Sequence, residues 1–210
     1  MGSIALSMHE VRGSPIFSKE HSVKNLLVTG YRAHELGIFD QKHQAISYIK
    51  KAIEARLEPL AEEGLEWVIT PGQYGTDLWA CEVVLGMKKR YPQLQVAVIT
   101  AYLNPEEKWN EDKQQYYRDI VKSLDYYGSV SRQPYQGVWQ LTARDELLLR
   151  KTDGILLFYD EEAGEASPKY MKRRALKKRE EDGYHYFSLT MDSVQDIANE
   201  GQWDMPDFQT

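Results

Sequence analysis

The chain has 210 residues, 42% of them hydrophobic and 28% charged, which is the length of one ordinary domain and the composition of a chain that buries a core. Its 26 basic and 32 acidic residues leave a formal charge of −6, so no overall positive field draws it to nucleic acid or to an anionic bilayer. A lone Cys81 excludes an internal disulfide, and with five scattered histidines it leaves no metal-ligand spacing, so no metal is expected and a reducing cytoplasm suits the chain.

Residues 1–22 are mixed in character, with no apolar run longer than 4–6, and are read as a disordered leader or an upstream extension. No later apolar run reaches the roughly 18 residues of a membrane span, so no membrane insertion is expected. From Asn25 onward, short apolar runs alternate with amphipathic segments. Strands are predicted at 25–30, 66–71, 94–101, 154–160 and 184–190, each almost continuously apolar, as in a sheet covered on both faces. Between the first two, Ile46, Ile49, Ile53, Leu57 and Leu60 recur at helical spacing up to Gly64. A second stripe (Leu78, Cys81, Leu85) ends before Tyr91-Pro92, a third helix covers 113–124, a fourth 139–150, and others start at Pro168 and Asp192. Residues 200–210 carry Glu200, Asp204 and Asp207 without a base and read as an acidic tail that holds half of the −6. The pattern over 23–199 predicts one doubly wound, mainly parallel α/β sheet flanked by helices, Rossmann-like, with its ligand outside the carboxyl ends of the strands.

Three loops lie at those ends. In Thr29-Gly30-Tyr31-Arg32, glycine admits a ligand to the backbone and the arginine fork suits a phosphate or carboxylate; an ordinary turn with a solvated arginine is the alternative. In the second, Pro71-Gly72-Gln73-Tyr74-Gly75-Thr76-Asp77, two glycines three apart precede a helix start, the arrangement of a phosphate-cradling turn with exposed N–H groups. Thr76 either joins that cradle or simply caps the helix, and Asp77 either caps it or meets a ribose hydroxyl. The string is neither a Walker loop nor the dinucleotide GxGxxG. The third loop runs from Gly154 past Asp160 to Ser167-Pro168-Lys169, where serine reads chiefly as a helix cap, with ligand contact by Ser167 and Lys169 as an added role. His34, in the first loop, is placed to touch a ligand.

Between Tyr102 and Trp139, eight of 38 residues are aromatic; core packing accounts for many such rings, and Trp109 and Tyr135, beside prolines, are the candidates for stacking. Seven bases fall between Lys169 and Arg179, and their spread around a helix favours a solvated surface over a nucleic-acid groove.

Taken together, TGYRAHELGIF (29–39), YIKKAIEARL (48–57), EGLEWVITPGQYGTDLWACE (63–82), TDGILLFYDEE (152–162) and SPKYM (167–171) resemble the YpsA-like family of Gram-positive bacterial proteins. That family belongs to the Rossmann-like superfamily of DprA and the plant LOG phosphoribohydrolases. The resemblance implies a nucleotide-like ligand (a nucleotide, ADP-ribose or an NAD derivative) and a link to cell-division control, with a homo-oligomer or a cell-division protein as partner. The chain departs from the family pattern at Asp145, where Asn is common, and at Ala166, where Gly is common. PGQYGT also resembles the PGGxGT of the phosphoribohydrolases, whose catalytic glutamate follows the threonine by three positions. That place is Trp79 here, and Glu82 lies one turn further on.

The expected function is therefore that of a binding or regulatory module whose ligand meets Gly30, Tyr31, Arg32, Gly72, Gln73, Gly75, Thr76, Asp77, Asp160, Ser167 and Lys169. An N-glycosidic hydrolase with Glu82 or Asp77 as its carboxylate is the alternative. A DprA-like single-strand binder is a third reading, which the net charge disfavours.

Overall fold

The computed structural model describes residues 22–162 and 166–203, so the leader read over 1–22 lies, save Ser22, outside the described residues, as does most of the acidic tail. One sheet holds β1 (Asn25–Gly30), β2 (Trp67–Thr70), β3 (Gln95–Thr100), β4 (Tyr126–Ser129), β5 (Gly154–Phe158) and β6 (His185–Leu189). All pairings are parallel, in the spatial order β4-β3-β2-β1-β5-β6. The chain steps outward from β1 to β4, then crosses back to place β5 on the other side of β1. That reversal makes the β1/β5 junction a topological switch point, where sheets of this kind take their ligands.

Six α-helices connect the strands: α1 (Gln44–Glu62), α2 (Thr76–Met87), α3 (Glu111–Lys122), α4 (Val138–Lys151), α5 (Pro168–Asp182) and α6 (Met191–Trp203). The right-handed rule for parallel crossovers puts α1, α2 and α3 on one face and α4 and α5 on the other; α1 packs on α2, α2 on α3, and α6 returns to pack on α1. With both faces covered, Leu26, Leu27, Ile155, Leu156 and Leu157 are all fully buried, which is why these strands read as unbroken apolar runs. In α1 the buried stripe is Ile46, Ile49, Ile53 and Leu57, with Leu60 only partly covered and Ala61 completing the contact.

Two differences from the expected elements have plain causes. The sixth strand, β4, is four residues long with Tyr126 54% and Tyr127 39% exposed, so at the sheet edge it lacks an apolar run. Its start is fixed by Asp125, whose carboxylate accepts the Val96 N–H at 2.7 Å. At the other end, α6 continues through Glu200 to Trp203, so the segment read as tail begins inside a helix. No helix among the described residues is long and apolar enough to cross a membrane.

Candidate functional site

The first two loops fold as one unit. The Tyr31 carbonyl accepts both the Thr76 N–H (3.1 Å) and the Thr76 hydroxyl (2.9 Å), and the Ala33 N–H donates to the Tyr74 carbonyl (3.0 Å). Gly75, with φ 136°, is the N-cap of α2, so Thr76 does not cap the helix with its side chain; its hydroxyl is spent on the neighbouring loop instead. A Cβ on Gly75 would lie 2.6 Å from the Ala33 N and 2.7 Å from the Tyr31 O. The glycines thus have packing partners of their own: a Cβ on Gly72 would meet Val98 Cγ1 at 2.4 Å, and one on Gly30 would meet the Phe158 O at 2.5 Å. The expected row of exposed N–H groups is only partly present. The Thr76 N–H is covered by the first loop, and the Gln73 N–H donates to Asp77 Oδ2 at 2.9 Å.

Asp77 is 3% exposed and also accepts the Thr29 hydroxyl at 2.8 Å. Burial pushes its carboxyl up to about 6, against the Gln73 and Thr29 hydrogen bonds and the charges of Arg144 and Arg32, which favour ionisation. It fastens the glycine loop to β1 from behind.

The third loop is tied to the first by Glu35. Its carboxylate accepts the Arg32 N–H (2.7 Å), the Ser167 N–H (2.8 Å) and the Ser167 hydroxyl (3.0 Å). Burial works to raise this carboxyl, but those three hydrogen bonds and the Arg32 charge hold it below its ordinary range. Ser167 stands at the N-cap of α5 without capping it by side chain, because its hydroxyl is turned to Glu35. Tyr31 is buried; its hydroxyl donates to the Asp160 carbonyl and accepts the Asp160 N–H. The Asp160 carboxylate is spent on the Met191 N–H at 2.6 Å, at the start of α6. Lys169 lies 5.3 Å from the Tyr170 ring.

A two-lobed cleft opens over the carboxyl ends of the strands, the lobes holding about 410 and 570 Å³. Arg32, Gln73, Leu141 and Arg144 line both lobes, and Arg32 Nε donates to Gln73 Oε1 at 2.5 Å on the boundary between them. The smaller lobe rests on Gly72 and is walled by Tyr102, Trp109, Tyr135 and Lys113. The larger is bounded by Thr29, Gly30, Ser167, Tyr170, Arg173 and Arg174. The cleft therefore brings together Gly30, Arg32, Gly72, Gln73 and Ser167 of the expected residues, together with His34, Trp109 and Tyr135. Tyr31, Gly75, Thr76 and Asp77 stand behind its wall, and Asp160 and Lys169 are not among its lining residues.

Arg144 is the residue that sequence reasoning missed. It is 8% exposed, held by Asp145 Oδ1 at 2.8 and 3.0 Å, and shares a buried α4 face with Gln140 and Leu148. A Gln and an Arg at i, i+4 on a buried stripe were the available signal. Gln140 anchors the loop that carries Tyr135: its amide donates to the Ser131 hydroxyl (3.0 Å) and the Pro134 carbonyl (3.1 Å), and its oxygen accepts the Gln136 N–H (2.7 Å).

Glu82 projects elsewhere. It pairs with Lys50 at 2.7 Å, accepts the Tyr116 hydroxyl, and lines a separate groove with Phe39 and Asp119 on the α2/α3 side. Trp79, at the position of the phosphoribohydrolase glutamate, is 1% exposed core. Among the described residues lining the cleft, the carboxylate present is Asp145, already engaged by Arg144. Cys81 is fully buried, and burial pushes its thiol up to about 12. The described residues hold no cluster of three or more His, Cys, Asp or Glu suited to a metal ion.

Residues 26–194 match the YpsA family model, described as the YspA SLOG family. A UPF0398 protein of Brevibacillus brevis is 50% identical over 183 residues, covering 87% of this chain and 97% of that protein. One from Lysinibacillus sphaericus is 46% identical over 84% of this chain and 98% of its own length. The UPF0398 protein YpsA of Bacillus subtilis is 41% identical over 86% of this chain and all of its own length.

Proposed function

The chain belongs to the YspA SLOG family, and from that premise we propose that it is a binding or regulatory protein whose two-lobed cleft takes a phosphate-bearing, nucleotide-like ligand: a nucleotide, ADP-ribose or an NAD derivative. The observation that carries this reading is the placement of Arg32 and Arg144 on both lobes at the switch point of the sheet. Guanidinium forks meet phosphate oxygens bidentately, and a half-buried site strengthens each such bond. At the N-terminus of α2 the Thr76 N–H is taken by the Tyr31 carbonyl, which shifts the weight onto side chains. The hydrolase alternative needs a carboxylate aimed at the ligand, and Asp77 and Glu82 both lie outside the cleft lining.

Thermal-shift and calorimetric titration with adenosine and guanosine nucleotides, ADP-ribose and NAD test the reading. At least one is expected to bind and to be recovered intact by chromatography. Arg32→Met is expected to weaken it about 10- to 100-fold, the loss of one charge-assisted contact. Binding unaffected by Arg32→Met, or none from any of these compounds, would contradict the proposal.

A further inference from the structure

The two lobes differ in chemistry, and we infer, resting on the ligand reading above, which end of the ligand each receives. The larger lobe is fitted to a diphosphate or longer phosphate chain, and the smaller one to the base. Among the described residues lining the larger lobe, Arg32, Arg144, Arg173 and Arg174 stand against Asp145, so four positive charges less one negative give a formal +3. A single phosphate monoester carries roughly −1.5 to −2 near neutral pH and leaves that charge under-compensated. A second phosphate closes the gap.

The bases of α5 are sorted in the fold in a way that singles out this pair. Lys172 is taken by Glu161 at 2.7 Å, Lys177 by Glu181 at 3.6 Å and Lys178 by Asp182 at 2.7 Å. Arg173 and Arg174, between them, face the cleft, and the Arg173 guanidinium lies 5.6 Å from the Tyr170 ring on the cleft rim. Of the seven bases in that run, Lys172, Lys177 and Lys178 are held in these ion pairs, and Arg173 and Arg174 line the site.

The smaller lobe holds Lys113 besides the two shared arginines, with the Lys113 ammonium 4.7 Å from the Tyr74 ring, and what sets it apart is its other rings. Tyr102 and Tyr135 meet edge to face at 5.2 Å, and Trp109 is braced by Tyr74 at 6.0 Å and by Tyr117 at 5.4 Å. Flat rings held rigid by their neighbours, with Pro71 and Pro105 beside them, make a slot for a planar heterocycle. Arg32 and Arg144, shared by both lobes, then meet the phosphate nearest the sugar, and Arg173 and Arg174 the outer one.

Calorimetric titration with the mono- and diphosphates of adenosine and guanosine tests this assignment. For whichever base binds, the diphosphate is expected to bind at least about tenfold tighter than the monophosphate, one further charge-assisted contact. The Arg173→Ala/Arg174→Ala double variant is expected to remove that advantage, weakening the diphosphate at least about tenfold more than the monophosphate, and Trp109→Ala to weaken both ligands by a similar factor. Equal affinity for the two ligands, or an equal loss of both in the double arginine variant, would overturn the polarity while leaving the nucleotide reading intact. No binding of any of the four would overturn the nucleotide reading itself and the polarity with it.

Discussion

Replacing Gly75 with alanine is expected to cost about 4 kcal/mol of folding stability and to abolish ligand binding with it. Two effects add: a backbone at φ 136° is strained for an L side chain by about 1–3 kcal/mol, and overpacking costs about a further 1–3 kcal/mol. The atoms in the way are the Ala33 N, the Tyr31 O and the Arg32 Cα, all backbone, so no rotamer change relieves them. The first loop must lift from the glycine loop, breaking the Thr76 and Ala33 hydrogen bonds that clasp the two. Gly86 supplies the contrast. It lies in the exposed last turn of α2, where an added Cβ would meet nothing within 4 Å, and its alanine variant is expected to gain about 0.5–1 kcal/mol. Urea unfolding should show the midpoint falling for Gly75→Ala and rising for Gly86→Ala at unchanged m-value. A Gly75→Ala protein as stable as the wild type would mean that the two loops are not clasped.

The second large effect is a pH dependence centred on Asp77. Its native carboxyl is pushed up to about 6 from an ordinary value of 3.8, so between those values the folded protein keeps a proton that the unfolded chain has released. The native state then binds more protons than the unfolded state, and stability falls as pH rises through this window. At about 1.36 kcal/mol per unit the fall amounts to about 3 kcal/mol, complete above pH 6. Asp77→Asn keeps an acceptor for the Gln73 N–H, and the Thr29 hydroxyl can rotate to accept from the new amide. The variant is expected to equal the wild type near pH ~4 and to exceed it by about 2–3 kcal/mol at pH ~7.5. Glu35, held low in the folded protein, gives a slope of the opposite sign, but it is common to both proteins and cancels in their difference. Parallel stability curves for the two proteins would contradict a buried, proton-binding Asp77.

Much of the fold was legible because the four inner strands and the edge strand β6, with its Tyr-Phe and Leu, read as apolar runs, and because α1 carries its isoleucine stripe. β4 escaped because an edge strand of Tyr-Tyr-Gly-Ser has no buried face to enforce a pattern. Within the site, the glycine loops and Arg32 were legible from residue type, while their hydrogen-bond partners were not. Ser167 reads chiefly as a helix cap and Thr76 as either a cap or part of the cradle, and both spend their hydroxyls on a distant loop, on the Tyr31 carbonyl and the Glu35 carboxylate. Local sequence carries the capping preference, but a partner 45 or 132 residues away decides its use. Arg144 was hidden for the same reason: only the return of α4 across the sheet brings it beside Arg32. Asp145 also acquires a role, since its carboxylate holds the Arg144 guanidinium at the cleft.

Together the loops divide the electrostatic work. Asp77 and Glu35 are the internal carboxyl groups that fix the three loops, Arg32 is the cation that the fixed loops present, and Arg144 joins it from α4. Backbone dipoles contribute little where the Thr76 N–H is already bonded, so in the proposed function recognition falls to guanidinium groups and to the aromatic slot.

The location of the ligand is tested most directly by a crystal structure of the protein with the tightest-binding nucleotide. Phosphate oxygens are expected within hydrogen-bonding distance of the Arg32 and Arg144 guanidinium groups, and the base between Tyr102 and Trp109. A nucleotide seated instead in the α2/α3 groove beside Glu82 and Tyr116, or an empty cleft at saturating nucleotide, would contradict a cleft built for phosphate.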